Sequence, residues 1–184
     1  MIESAMYHYL KRNAYWWVMP ELDYKFRADF IAWGSKKGVL EVEIKRTWAD
    51  YRHDYVKSVD SHLNWAHFNK KGRDITHPKR FPTVQKHNWL KGNYPCNWRP
   101  EYFMYAAEPE LAKRIADDPA LPKGFGVVKV RNENNVYSLK RVARLITLTP
   151  EQHGRFRKDV FKRAMSQADK FYSDRLYNER NNIS

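Results

Sequence analysis

Asp29, Glu43 and Lys45 are the side chains whose types and spacing suit phosphodiester chemistry. In the run Leu40-Glu41-Val42-Glu43-Ile44-Lys45, read as an extended strand, alternate residues share a face. Leu40, Val42 and Ile44 then point into a core, while Glu41, Glu43 and Lys45 point together the other way. Phe26 to Trp33 reads as a preceding strand, and Gly34-Ser35-Lys36-Lys37-Gly38 as the hairpin turn joining the two. Pairing across that hairpin brings Asp29 towards Glu43. Two carboxylates so placed repel unless a cation sits between them, and oxygen ligands with open coordination positions suit Mg2+, with Mn2+ as a substitute. Such an ion polarises a phosphoryl oxygen and acidifies a bound water, and Lys45 orients that water or offsets charge developing on the phosphate. The competing reading is a solvated strand face on which Glu41, Glu43 and Lys45 form ordinary surface pairs.

The pattern resembles the PD-(D/E)XK nuclease superfamily, whose signature is an Asp on one strand and an acidic-x-Lys on the next. Here these are Asp29 and Glu43-Ile44-Lys45. The context Arg27-Ala28-Asp29-Phe30, and the passage from Glu43 through Thr47, Asp50-Tyr51 and Asp54, look like the MmcB-like DNA-repair endonucleases and related phage proteins. The likeness covers roughly residues 20 to 60 and 99 to 165. It implies an α/β fold of the restriction-endonuclease-like type, a mixed β-sheet flanked by helices. It also implies Mg2+ held by Asp29, Glu43 and the carbonyl of Ile44, with Lys45 assisting attack by water. Asp50, Asp54 and Lys57 recur at i, i+4 and i+7, one face of a helix, and are supporting candidates around Lys45. An exposed salt-bridged helix face has the same spacing. Glu41 is either an outer ligand or a pair for Lys45.

Composition agrees with a polyanionic substrate. The 184 residues carry 34 Lys and Arg against 21 Asp and Glu, a formal charge of +13, and the isoelectric point is near 9.8. Such an excess favours nucleic acid through counterion release, with DNA expected and RNA equally permitted by charge. No apolar run approaches the ~20 residues of a spanning helix, so no membrane partner is expected. Met1-Ile2-Glu3 lacks the start of a secretory signal. The single cysteine, Cys96, excludes an intramolecular disulfide. The expected setting is a reducing cytoplasm, bacterial or that of a phage-infected host.

The elements that must position these groups read as one domain over 1–184. A first helix is expected from Ile2 to about Val18, stopped by Pro20, with Glu3 on its core-facing stripe as a candidate third metal ligand or site partner. An exposed Glu at a helix N-terminus is the alternative. Thr47 reads as the N-cap of a helix starting near Trp48. Residues 62–99 form a basic, aromatic-rich insertion. Its Lys70, Lys71, Arg73, Lys79, Arg80, Lys86, Lys91 and Arg99, with Trp89, are candidates for gripping phosphates and stacking on bases. Aromatic packing against the core is the bland alternative. Val127 to Val130, Val136 to Leu139 and Val142 to Leu148 are β-prone, and Thr149-Pro150-Glu151-Gln152 is a capping box opening a long helix. The tail 174–184 is polar and expected to fray.

The sequence therefore predicts a Mg2+-dependent endonuclease in phage or bacterial DNA processing or repair. The rival is a non-catalytic DNA-binding or host-defence-blocking phage protein on the same scaffold. Nicking needs one centre, whereas a double-strand cut calls for two and hence a homodimer.

Overall fold

The computed structural model describes residues 2–24, 26–34, 37–56, 58–59, 84–90, 100–155, 157–158, 160–162 and 164–167. The protein is a mixed α/β structure. Helix α1 (Ile2–Arg12) leads to strands β1 (Trp17–Tyr24), β2 (Phe26–Gly34) and β3 (Gly38–Lys45), then helix α2 (Trp48–His53). The short strands β4 (Ser58–Val59) and β5 (Val84–Gln85) pair with each other and precede helix α3 (Lys86–Leu90). Strand β6 (Tyr102–Ala107), helix α4 (Pro109–Asp117) and strands β7 (Gly126–Asn132) and β8 (Asn135–Lys140) follow, and residues 150–155 open a C-terminal helical segment. The main sheet runs β1-β2-β3-β6-β7-β8. Its centre, β3-β6-β7, is parallel and its flanks are antiparallel.

Both faces of this sheet are covered, which explains why every residue of β3 is buried. On one face α1 sends Ile2, Ala5, Met6 and Leu10 against Leu40, Val42, Ile44, Met104 and Val128. On the other, Tyr51 of α2, Leu90 of α3 and Ala112 and Ile115 of α4 pack on Phe103, Tyr105 and Val127. The face that carries Glu41, Glu43 and Lys45 is thus roofed by helices. It is not the solvated surface of the competing reading.

The hairpin lies where the glycines place it. Gly34 pairs with Gly38, and Gly38 has φ +73 with no room for a Cβ, which would come within 2.2 Å of the Glu101 carboxylate. Thr47 caps α2 by accepting from the Asp50 N–H at 3.1 Å. The capping box forms reciprocally: Thr149 N–H donates to Gln152 Oε1 at 2.8 Å and Gln152 N–H to Thr149 Oγ1 at 3.2 Å.

Two elements differ from expectation. The first helix ends at Arg12, and Trp17–Tyr24 is a strand. Pro20, expected to stop a helix, sits in an edge strand, the place in a sheet where a missing N–H is tolerated. Val142 to Leu148 forms no strand. Single bonds tie it instead, from Ala143 N–H to the Gly124 carbonyl and from Leu145 N–H to the Glu101 carbonyl, while Val142 packs over Gly126. Among the described residues no helix is long and apolar enough to cross a membrane.

Candidate active site

The β2–β3 ladder runs from Gly34 and Gly38 to Phe30 and Val42, then stops one pair short of Asp29 and Glu43. In the opened end, the Ile44 N–H donates to Asp29 Oδ2 at 2.6 Å, so a side chain replaces the missing backbone partner. This brings Asp29 beside the end of β3. Burial raises the Asp29 pKa, and the neighbouring Glu43 charge adds to it against the opposing bond from Ile44.

Lys45 is 3% exposed and lies 3.3 Å from Glu43 Oε2, 2.9 Å from Asp54 Oδ2 and 3.7 Å from Asp50 Oδ1. Asp50 and Asp54 reach it from α2, whose start is fixed by the Thr47 cap. Burial pulls the Lys45 pKa down, but Glu43 and Asp54 outweigh it and hold the ammonium above its ordinary value. Lys45 is therefore a cation at neutral pH, suited to offsetting negative charge and not to abstracting a proton.

Lys86 is the member that sequence reasoning misplaced. Expected on the phosphate-gripping surface, it is fully buried, with its Nζ 2.6 Å from Glu41 Oε1 and also bonded to Glu43 Oε1. Its ammonium is taken up by those two carboxylates and so belongs to the strand face, not to a phosphate-gripping surface. Burial alone would neutralise it, yet Glu41 and Glu43 hold its pKa above normal. Both oxygens of Glu43 are thus engaged, one by each lysine. The surrounding wall is aromatic: Lys86 lies 5.3 Å from the Phe103 ring centre and Lys45 5.8 Å from that of Tyr105. His87, next to Lys86, bonds through Nε2 to the Tyr105 hydroxyl at 2.7 Å. In the sequence nothing local marks Lys86 for burial; only the return of α3 onto the sheet decides it.

The remaining candidates divide. Glu3 does not face the core: its side chain is 43% exposed and pairs with Arg46 just past β3. α1 carries it on the face opposite Glu43, so a place for Glu3 among the metal ligands is corrected. Lys57, Lys70, Lys71, Arg73, Lys79, Arg80, Lys91 and Arg99 lie outside the described residues, as does the side chain of Trp89.

The donor set is compatible with a divalent ion. Asp29, Glu41, Glu43 and Asp54 set four buried or half-buried carboxylates against the two ammonium groups of Lys45 and Lys86, leaving a negative excess. Among the described residues no three acidic, imidazole or thiol groups converge to hold a metal by themselves. A Mg2+ ion needs fewer, since it keeps several waters and binds through one or two carboxylates. Asp29 and Glu43 are the candidates for such a pair.

No protein-family model and no curated protein matches the chain. Among solved structures it is similar to a protein of unknown function from Silicibacter pomeroyi, with a TM-score of 0.51 and 14% identity over 98% of this chain and 90% of that one. At that identity the likeness concerns the fold alone.

Proposed function

We propose that this protein is a metal-dependent endonuclease of the PD-(D/E)XK type, hydrolysing phosphodiester bonds in DNA. The observation that carries the reading is the opened β2–β3 end, where Asp29 meets Ile44 at 2.6 Å while Lys45 stands between Glu43 and Asp54. Asp29, Glu43 and the Ile44 carbonyl would hold Mg2+ or Mn2+. The bound ion would polarise a phosphoryl oxygen and lower the pKa of a water. Lys45, kept as an ammonium, offsets the charge that grows on the phosphate. Asp50 and Asp54 are positioning residues, since they act on Lys45 and not on substrate. Lys86 holds Glu41 and Glu43 together on their strand. Water attacks phosphorus directly and the bond to the leaving oxygen breaks, with no covalent enzyme intermediate.

One observation favours the non-catalytic rival: both Glu43 oxygens already face ammonium groups, which compete with a metal for that ligand. Incubation with supercoiled plasmid, linear duplex, single strands, branched junctions and RNA, in Mg2+, Mn2+ or EDTA, separates the two. Metal-dependent cleavage should fall by about 100-fold or more in Lys45→Ala and Asp29→Ala, an effect typical of losing a group that stabilises the transition state. If wild type cuts nothing under any condition yet binds in a salt-sensitive way, the non-catalytic reading holds.

A further inference from the structure

We infer that the groove at the carboxyl ends of β3, β6 and β7 is a binding track for the phosphate backbone of a nucleic-acid strand, held by Arg114, Lys129 and Arg131. The inference rests on the nuclease reading only for the class of polyanion, because the track lies outside the Asp29–Glu43–Lys45 cluster. Its walls come from Arg46 to Trp48 after β3, the start of α4, and the β7–β8 hairpin around Lys129, Arg131 and Tyr137. Ligands of open α/β sheets bind in such crevices beyond the strand carboxyl ends. The volume is about 920 Å3, at the top of the ~300–1,000 Å3 range of ligand pockets. It therefore suits a chain of linked groups better than a lone anion.

The manner in which the cations are held points to an anionic ligand. The Arg114 guanidinium lies 4.0 Å from the Trp48 ring centre and the Lys129 ammonium 5.3 Å from that of Tyr137. A ring face positions a cation through its quadrupole without cancelling its charge. Among the described residues neither of these groups, nor Arg131, pairs with a carboxylate. Arg46, in contrast, is spent on Glu3. Glu108 and Glu110 also line the groove, so its free positive charge is concentrated on the β7 side and the second turn of α4. Tyr137 is 53% exposed and offers a stacking surface to an unpaired base.

The track leads to the candidate active site. Lys45, Ala107 and Lys129 are register partners across three adjacent strands, so the two lysine backbones stand about 10 Å apart, two strand spacings. Strand parity puts both lysines on the same face of the sheet. A backbone lying along Arg131 and Lys129 is thereby directed towards Lys45.

The test measures binding without cleavage. Labelled single strands and duplexes of DNA and of RNA are titrated in EDTA, by fluorescence anisotropy, at several salt concentrations. The variants are R114Q/K129Q/R131Q and a charge-matched control, K123Q/K140Q/R141Q, at exposed positions outside the groove. The groove variant should bind a single strand about 10- to 100-fold more weakly. Its log K against log salt slope should be shallower by about 2, from three lost contacts at ~0.7 each. The control should keep the wild-type slope. R131Q alone, which touches no ring in the described structure, should lose a share of the affinity with an unchanged melting temperature, so misfolding of the triple variant cannot hide the answer. Unchanged affinity and slope in the groove variant, an equal loss in the control, or no wild-type binding to any strand would overturn the inference. Binding lost in the groove variant from a wild type that never cuts would sink the nuclease reading and leave the track standing.

Discussion

Two buried carboxylate sites lie at opposite ends of β3, and they are satisfied differently. At its start, Glu101 is 2% exposed; it accepts the Val39 N–H at 3.0 Å and faces His153 at 3.4 Å and Arg144 at 3.8 Å. Those two side chains sit at the rim, 28% and 46% exposed, so solvent shares the carboxylate's charge. At its end, Glu41 and Glu43 meet ammonium groups that are as buried as they are, behind aromatic walls and with carboxylates in excess. The first arrangement closes a loop onto a strand. The second is costly to assemble, because two desolvated charges recover their hydration only when the geometry is good. Replacing such a cluster with apolar side chains is often neutral or stabilising, so stability alone does not account for it.

The widest gap between the two sites should come from Lys86→Met. Removing a fully buried cation leaves Glu41 and Glu43 facing each other, and chemical denaturation should register a loss of about 3–5 kcal/mol. Glu101→Ala should cost less, about 2–3 kcal/mol, since it strands the Val39 N–H but leaves Arg144 and His153 at a rim that water can solvate. Cleavage per folded molecule should be unchanged in that variant, and a lost activity would erase the contrast between the ends. Mg2+ at ten times its Kd should stabilise wild type by about 1.4 kcal/mol and should not move Asp29→Ala, as read by thermal unfolding. An equal shift in both would place the ion elsewhere.

The smallest effect on stability is expected for Asp29→Asn, which keeps an oxygen for the Ile44 N–H. With its pKa raised on folding, Asp29 binds its proton more tightly in the folded chain, so it detracts from stability at neutral pH; that deficit is constant above the folded pKa and shrinks as pH falls through it towards the unfolded value. Asparagine removes that deficit. The variant should be as stable as wild type or up to about 1 kcal/mol better at pH 7, with a flatter dependence of stability on pH, while metal-dependent cleavage is lost.

What could be read beforehand was local. The Gly34–Gly38 hairpin, the Thr47 cap and the Thr149–Gln152 box each depend on residues within a few positions, and each formed as its chemistry requires. Once the hairpin is set, strand parity alone places Glu41, Glu43 and Lys45 on one face. The first helix, expected to run to about Val18, ends at Arg12, because helical spacing is a weak local signal and pairing of Trp17–Tyr24 with β2 over seven register partners overrides it. Val142–Leu148 shows the converse: β-prone residues remain irregular, tied by single bonds to the Gly124 and Glu101 carbonyls.

The sequence by itself determined the acidic-x-Lys strand, its partner Asp29 and the turn that aligns them, because two-residue periodicity and glycine geometry operate over short distances. Only the tertiary structure decided that this charged face lies under α2, α3 and α4, that Lys86 returns to neutralise Glu41 and Glu43, and that Glu3 faces away. Those outcomes depend on which sheet face each helix covers, and that is set by the summed burial of apolar side chains far apart in the chain.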